Sequence, residues 1–298
     1  MIENVLFIGV GKMGSAMASR LLDAGISVAV ADVAPQALEP FRARGVPAAA
    51  TGASLPGEIV ITMLPTDAHV REALLGADGA VHGQKRRIVI DMSTAPPSSS
   101  RALGAELAQH GVQMLDAPVS GGVAGAKTGD MTAMVGGDAG LYGQVEGLLR
   151  HMCARVRHVG PLGAGHTLKA LNNYLSAVTL WSASEALLIG ARAGLDPSTM
   201  VEIWQSGSGR SHATEVKLPR AILPRSFDYG MTMRLFAKDV SIAARLAREL
   251  DVPAPALAAA EENWRLAKLA LGPEEDISAL LRLLERWAGF EVPAASAS

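Results

Sequence analysis

The chain has 298 residues, enough for two domains of ordinary size. Apolar residues make up 49% and charged residues 19%, which excludes a disordered chain and leaves material for a sizeable core. A net charge of −2 with scattered Lys and Arg excludes the concentrated basic patch that nucleic acid or an anionic membrane surface requires, so neither partner is expected.

In chain order, the first apolar run, Met1-Ile2-Glu3-Asn4-Val5-Leu6-Phe7-Ile8, breaks at Gly9 and carries no basic leader. It reads as an opening strand over Val5–Ile8, not a signal peptide. Met13–Ala24 is predicted helical and ends at Gly25. Val28–Ala31 is a second strand, and Pro35–Arg44 a short helix ending at Gly45. Ile59–Met63, Ile88–Asp91 and Gln113–Asp116 read as further strands with helical segments between them. Met131–Val135 and Val156–His158 read as late strands of the same sheet. Strands alternating with helices predict an α/β fold, a Rossmann-type doubly wound parallel sheet with right-handed crossovers.

After Gly160-Pro161-Leu162-Gly163 the strand pattern stops. A long Ala/Leu-rich helix, His166–Ala193, is followed by helices over Pro197–Gln205, Leu235–Leu250, Pro255–Lys268 and Ile277–Trp287. The expected division is therefore residues 1–161, a cofactor-binding domain, and 162–298, an all-helical domain for substrate and oligomerisation. The tail Val292–Ser298 is expected to fray. The long helix is apolar around most of its circumference, so it must be buried on several sides. A second subunit would cover one of them, which predicts a homo-oligomer. No apolar run reaches the roughly 18 residues that span a bilayer. Leu171–Leu195 comes closest but contains Asn172, Asn173, Glu185 and Arg192. A single cysteine, Cys153, permits no intrachain disulfide, and a cytoplasmic location is expected.

Gly9-Val10-Gly11-Lys12-Met13-Gly14 is a GxGxxG run between a predicted strand and a predicted helix. The first glycine permits the tight turn, the second lets backbone N–H groups approach a pyrophosphate, and the third lets helix and strand pack closely. The helix N-terminus turns the positive end of its dipole toward the phosphates. Asp32 ends the second strand, where an acid hydrogen-bonds the adenosine ribose and repels a 2′-phosphate. NAD is therefore expected in preference to NADP. Met63-Leu64-Pro65 and Asp91-Met92-Ser93-Thr94 leave later strand ends, where ligands of parallel sheets bind. Each reads equally as an ordinary strand exit.

Asp116-Ala117-Pro118-Val119-Ser120-Gly121-Gly122 offers a hydroxyl and unencumbered backbone N–H groups, a concavity suited to a carboxylate or simply a glycine-rich turn. Lys169 and Asn173, spaced i and i+4, share one face in the first turns of the long helix, near the domain cleft. Positive potential and desolvation both lower a lysine's pKa, so an amine here can give and take a proton near neutral pH. Asn173 does not titrate, so its role is to orient substrate or lysine. Taken singly, Lys169 also reads as a solvated helix residue. Two adjacent amides, Asn172 and Asn173, are the odder feature, because buried amides need partners. Lys238-Asp239 reads plainly as a surface ion pair. No metal site is expected, since the seven histidines and Cys153 lack ligand spacing, and neither His166 nor His212 is expected to be catalytic.

Four ordered motifs, Gly9–Gly14, Asp116–Gly122, Gly163–Asn173 and Lys238-Asp239, give the chain a resemblance to the β-hydroxyacid dehydrogenases over nearly its whole length. This is the group of 3-hydroxyisobutyrate dehydrogenase and tartronate semialdehyde reductase. The resemblance implies a Rossmann-like domain, a helical domain around a long central helix, and dimers or tetramers. It implies that Lys169 is catalytic with Asn173 in support, and that Ser120, Gly121 and Gly122 form the substrate-carboxylate loop. It also implies that Leu64, Pro65, Thr94 and Lys238 contact the cofactor. Relatives that take 3-hydroxyisobutyrate often carry an aromatic residue after Gly-Arg-Ser or its equivalent. Here Gly209-Arg210-Ser211 is followed by His212, which suits a hydroxylated or more acidic substrate. Two other readings share the architecture: an imine reductase, which usually lacks the catalytic lysine, and a cofactor-binding module without activity. Lys169 and the Ser-Gly-Gly loop favour the acid substrate.

Overall fold

The computed structural model describes residues 4–83 and 85–294. It divides into two compact units, Met1–Lys169 and Ala170–Ser298. Residues 1–3, expected to lead into the opening strand, and 295–298 of the tail lie outside the described residues.

The first unit alternates β1 (Asn4–Ile8), α1 (Lys12–Asp23), β2 (Ser27–Ala31), α2 (Pro35–Arg42), β3 (Ala48–Ala49), β4 (Ile59–Thr62), α3 (Asp67–Leu75), β5 (Ile88–Asp91), α4 (Pro97–Gln109) and β6 (Gln113–Asp116). It continues with β7 (Val119–Ser120), α5 (Gly122–Thr128), β8 (Thr132–Gly136), α6 (Ala139–Met152) and β9 (Arg155–Gly160). The sheet runs β3-β2-β1-β4-β5-β6-β8-β7, with β9 paired to β8. From β3 to β6 every pairing is parallel. Within β1, Val5 and Phe7 pack into one apolar cluster while Leu6 and Ile8 pack into another. Successive side chains of a strand point to opposite faces, so both faces of this sheet are covered.

The sheet is parallel-dominated, as expected, with one exception at its edge. β8 runs antiparallel to β6 and to β7. A parallel return needs a crossover of a dozen or more residues, whereas the link from Ser120 to Thr132 is shorter and holds only the seven-residue α5. β9 then pairs parallel to β8 through α6.

Helix α7 (Ala164–Arg192) begins in the first unit and continues into the second. It is long and apolar enough to cross a membrane by length and composition, with a mean hydropathy of 1.2. Its Ala177, Leu180 and Leu187 lie in the core of the second unit, so there it serves as the core helix. The unit continues with α8 (Pro197–Ser206), a π-helical segment Ala213–Ile222, α9 (Met233–Glu249), α10 (Pro255–Leu271) and α11 (Leu280–Ala288). Trp264 centres the packing, with Phe236 edge-on at 4.7 Å and Trp181 at 5.8 Å. Side-chain caps mark the starts that the sequence suggests: Asp196 accepts from the Thr199 N–H, and Thr232 from the Leu235 N–H.

One element carried no sequence signal and one expectation needs correction. The π-helical segment was not foreseen, because Pro219 lies inside it and a proline argues against a regular helix. The tail does not fray from Val292, which is buried. The Val292 N–H donates to Glu285 Oε1 at 2.9 Å, and its carbonyl accepts from Arg225 Nη1 at 3.1 Å.

Candidate functional site

The GxGxxG run folds as its spacing requires. Gly9 takes φ of +92°, and a Cβ there would overlap the Met63 carbonyl, while one on Gly14 would overlap the Gly9 carbonyl. Gly11 differs, since a Cβ at that position would meet nothing within 4 Å. No side chain caps the N-terminus of α1. The turn therefore offers open space in front of helix N–H groups, which fits a pyrophosphate. Asp32 stands just after β2, with Oδ2 accepting from the Val10 N–H at 2.8 Å and Oδ1 from the Ala34 N–H at 2.9 Å. The first bond tethers its carboxylate to the glycine turn and the second fixes it to its own loop, an arrangement that fits a ribose diol. Lys12 and Met13 open α1.

The exits from β4 and β5 are joined to each other. The Met63 N–H continues the β1 pairing by donating to the Ile8 carbonyl at 2.9 Å. The next N–H, of Leu64, donates to Ser93 Oγ at 2.9 Å. Leu64-Pro65 and Ser93-Thr94 thus form one connected rim along the carboxyl ends of the parallel strands. Ser120 ends β7, and Gly121 and Gly122 both take positive φ, +143° and +64°. A Cβ on Gly122 would meet nothing within 4 Å, so this backbone is open to a ligand.

Lys169 lies on the second turn of α7, half-buried. In the second unit, Asn173 follows one turn later on the same helix and is buried. Its Nδ2 donates to Asp239 Oδ2 at 2.6 Å, and its Oδ1 accepts from Asn172 Nδ2 at 3.1 Å. Asp239 is 3% exposed, so Lys238-Asp239 is not the surface pair that the plainer reading expected. Asp239 Oδ1 is buried, accepts no hydrogen bond, and lies 3.3 Å from Lys238 Nζ. The helical unit therefore holds Asn173 in one orientation through a buried carboxylate. The sequence reading missed this link, because Asp239 is 66 residues from Asn173. The only local signal was the buried-amide problem itself. His212 lies on the exposed side, with its ring edge-on to Tyr229 at 6.4 Å. Among the described residues no group of three or more His, Cys, Asp or Glu could hold a metal ion.

Residues 4–160 match the family described as the NAD binding domain of 6-phosphogluconate dehydrogenase. Residues 163–284 match the NAD-binding family of NADP-dependent 3-hydroxyisobutyrate dehydrogenase. A 2-(hydroxymethyl)glutarate dehydrogenase of Eubacterium barkeri is 34% identical, over 96% of this chain and 96% of its own. An NAD-dependent L-serine dehydrogenase of Pseudomonas aeruginosa is 36% identical, over 95% of this chain and 98% of its own. The structure of a Mycobacterium tuberculosis 3-hydroxyisobutyrate dehydrogenase with L-serine superposes with a TM-score of 0.86 at 30% identity, covering 95% of this chain and 99% of that one. Similarity of this extent, spanning both halves, places the chain in the β-hydroxyacid dehydrogenase family, whose members are NAD(P)-dependent oxidoreductases acting on the CH–OH group of hydroxy acids.

Proposed function

We propose that the enzyme oxidises a short 3-hydroxy carboxylic acid resembling 3-hydroxyisobutyrate, or reduces the matching semialdehyde, with Lys169 as general acid and base. The observation that carries this reading is the succession of Lys169 and Asn173 on one face of α7, with the Asn173 amide fixed by buried Asp239. The bound dinucleotide supplies the hydride acceptor or donor. In oxidation Lys169 Nζ takes the hydroxyl proton as the carbinol C–H hydride departs and the C=O bond forms. In reduction Nζ returns that proton to the carbonyl oxygen. Asn173 orients the reacting oxygen by hydrogen bonding. Ser120 Oγ and the Gly121 and Gly122 N–H groups hold the substrate carboxylate. Leu64, Pro65, Thr94 and Lys238 would help to hold the cofactor. In this reading residues 1–161 act as the cofactor domain and 162–298 as the substrate and oligomerisation domain. The enzyme works in the cytoplasm.

The tethered Asp32 supports NAD over NADP. The double variant Asp32→Ala/Val33→Arg is expected to raise the NADP/NAD ratio of kcat/KM on the order of 100-fold, by replacing a repulsive carboxylate with a cation that pairs the 2′-phosphate. An unchanged ratio would remove Asp32 from the cofactor site.

The range of hydroxy acids named for the relatives widens the substrate choice, and His212 favours hydroxylated members of it. The direct test is NAD(P)H formation at alkaline pH with 3-hydroxyisobutyrate, 3-hydroxypropionate, glycerate, threonate and serine. At least one is expected to reduce NAD with a kcat above about 1 s⁻¹. No turnover of any of them, with reduction of a cyclic imine instead, would replace this reading with the imine reductase.

Exposed apolar side chains along α7, Leu175 at 62% and Ile189 at 70%, support a homodimer or homotetramer. Light scattering at micromolar concentration is expected to give two or four times the mass of one chain. A single-chain mass would leave these residues without a role.

A further inference from the structure

His166 is wholly buried, at 0% exposed, three residues before Lys169. Its ring joins two segments far away in sequence. Nε2 lies 3.1 Å from the Ser93 carbonyl oxygen, which only accepts, so Nε2 carries hydrogen and donates. Nδ1 lies 2.7 Å from Ser100 Oγ, on α4. The His166 backbone N–H donates to Asp116 Oδ2 at 2.6 Å, and the Gly163 N–H donates to Asp116 Oδ1 at 2.7 Å. Asp116 is itself buried at the end of β6, four residues before Ser120. Ser93 is also the residue whose Oγ receives the Leu64 N–H.

The His166 ring therefore ties the first turn of α7 to the Ser93 segment after β5 and to α4. Ser93 in turn holds the segment after β4, and the backbone of the same helical turn is held by Asp116 at the end of β6. The segments after β4, β5 and β6 carry Leu64-Pro65, Thr94 and Ser120–Gly122. The continuation of a helix does not require this arrangement, since any helix-forming side chain would extend α7 at that position. We infer that His166 is the positioning residue of the site: it sets where the first turn of α7, and so Lys169, stands relative to the cofactor rim. His166 touches neither substrate nor cofactor. Its effect is geometric, because proton transfer requires heavy atoms about 3 Å apart and a misplacement of about 1 Å lowers the rate about 100-fold. This inference rests on the reading of Lys169 given above.

The test compares His166→Leu, which keeps the volume and loses both ring bonds, with His166→Gln, whose amide N–H can still reach the Ser93 carbonyl. With NAD and a substrate the wild type oxidises, His166→Leu is expected to lower kcat about 100-fold. NADH affinity, read by fluorescence, stays within about threefold, and the pH profile of kcat keeps its shape. His166→Gln is expected to recover at least tenfold of that loss. Ser100→Ala, a milder change that removes only the Nδ1 partner, is expected to lower kcat severalfold with KM unchanged, and it serves if His166→Leu does not fold. A readout without substrate is the acetylation rate of Lys169 at limiting reagent, followed by mass spectrometry against exposed Lys127. That rate is expected to change at least threefold in His166→Leu while Lys127 is unaffected.

An unchanged kcat and an unchanged Lys169 reactivity would overturn the inference. So would equal losses in the Leu and Gln variants that follow their thermal stability. Disappearance of a limb of the pH profile would make His166 a proton carrier and would overturn a purely positioning role. If Lys169→Ala retains full activity, the reading of Lys169 falls first. If Lys169→Ala is inactive and His166→Leu is normal, only the present inference falls.

Discussion

Lys169→Ala is expected to lower kcat by at least about 10³-fold, with little change in NADH affinity. General acid–base catalysis supplies about 10²–10⁴-fold, and loss of the group that positions the reacting oxygen adds to this. The features proposed to bind the cofactor, the Gly9–Gly14 turn and tethered Asp32, make their bonds without Lys169, so dinucleotide binding is expected to survive. Lys169→Arg is not expected to rescue, because a guanidinium stays protonated and cannot take the hydroxyl proton. Asn173→Ala is expected to cost less, about 10–100-fold in kcat, because it removes orientation and not the proton carrier. The measurement is initial-rate NADH formation across pH 7 to 10, together with fluorescence titration of NADH. A Lys169→Ala enzyme within tenfold of wild type would assign the proton transfer to another group.

The parts of the fold that the sequence announced are those whose causes are local. A glycine turn between a strand and a helix shows in six consecutive residues, and the acid at the end of β2 lies 22 residues from the Val10 N–H it accepts. The i, i+4 relation of Lys169 and Asn173 needs only the pitch of one helix. What stayed hidden depends on pairings across long separations. His166 reads as a lone histidine until Ser93, 73 residues away, is seen against Nε2. Asp239 reads as half of a surface pair until its bond to Asn173 is seen. The antiparallel β8 also escaped notice, because strand direction follows from connection length and not from the apolar pattern of the strand. The π-helical segment was hidden for a related reason: its periodicity is not that of an α-helix, and Pro219 interrupts the usual signal. That segment carries the most unusual buried charge in the helical unit, Lys217.

Replacing Lys217 with methionine is expected to stabilise the protein at neutral pH. The side chain is 2% exposed, and its ammonium donates to Ser176 Oγ at 2.6 Å, with the Ser176 carbonyl at 3.4 Å. The rings of Phe236 and Tyr229 lie 5.3 and 5.6 Å from Nζ, and among the described residues it makes no ion pair. Burial pushes its pKa down from 10.5 to about 8, against a smaller opposing effect of Asp276. The folded state therefore binds this proton more weakly than the unfolded chain does. Below pH 8 both states are protonated and the full penalty of the buried charge is present. Between about pH 8 and 10.5 the folded lysine is neutral while the unfolded one still holds its proton, so stability rises with pH across this window. A difference of this size is worth about 3 kcal/mol. Methionine fills similar volume without charge but leaves the Ser176 hydroxyl short of a partner, which offsets about 1 kcal/mol. The net gain of about 2 kcal/mol corresponds to a rise in Tm of about 4–8 °C at pH 7. Thermal unfolding of both proteins from pH 7 to 10.5 checks the magnitude and the sign together. The advantage of the Lys217→Met variant should shrink as pH rises and reverse near the upper end, where wild type keeps its Ser176 bond without a charge. A variant less stable than wild type at pH 7, with a gap that does not move between pH 8 and 10, would mean that a carboxylate partners this ammonium in solution.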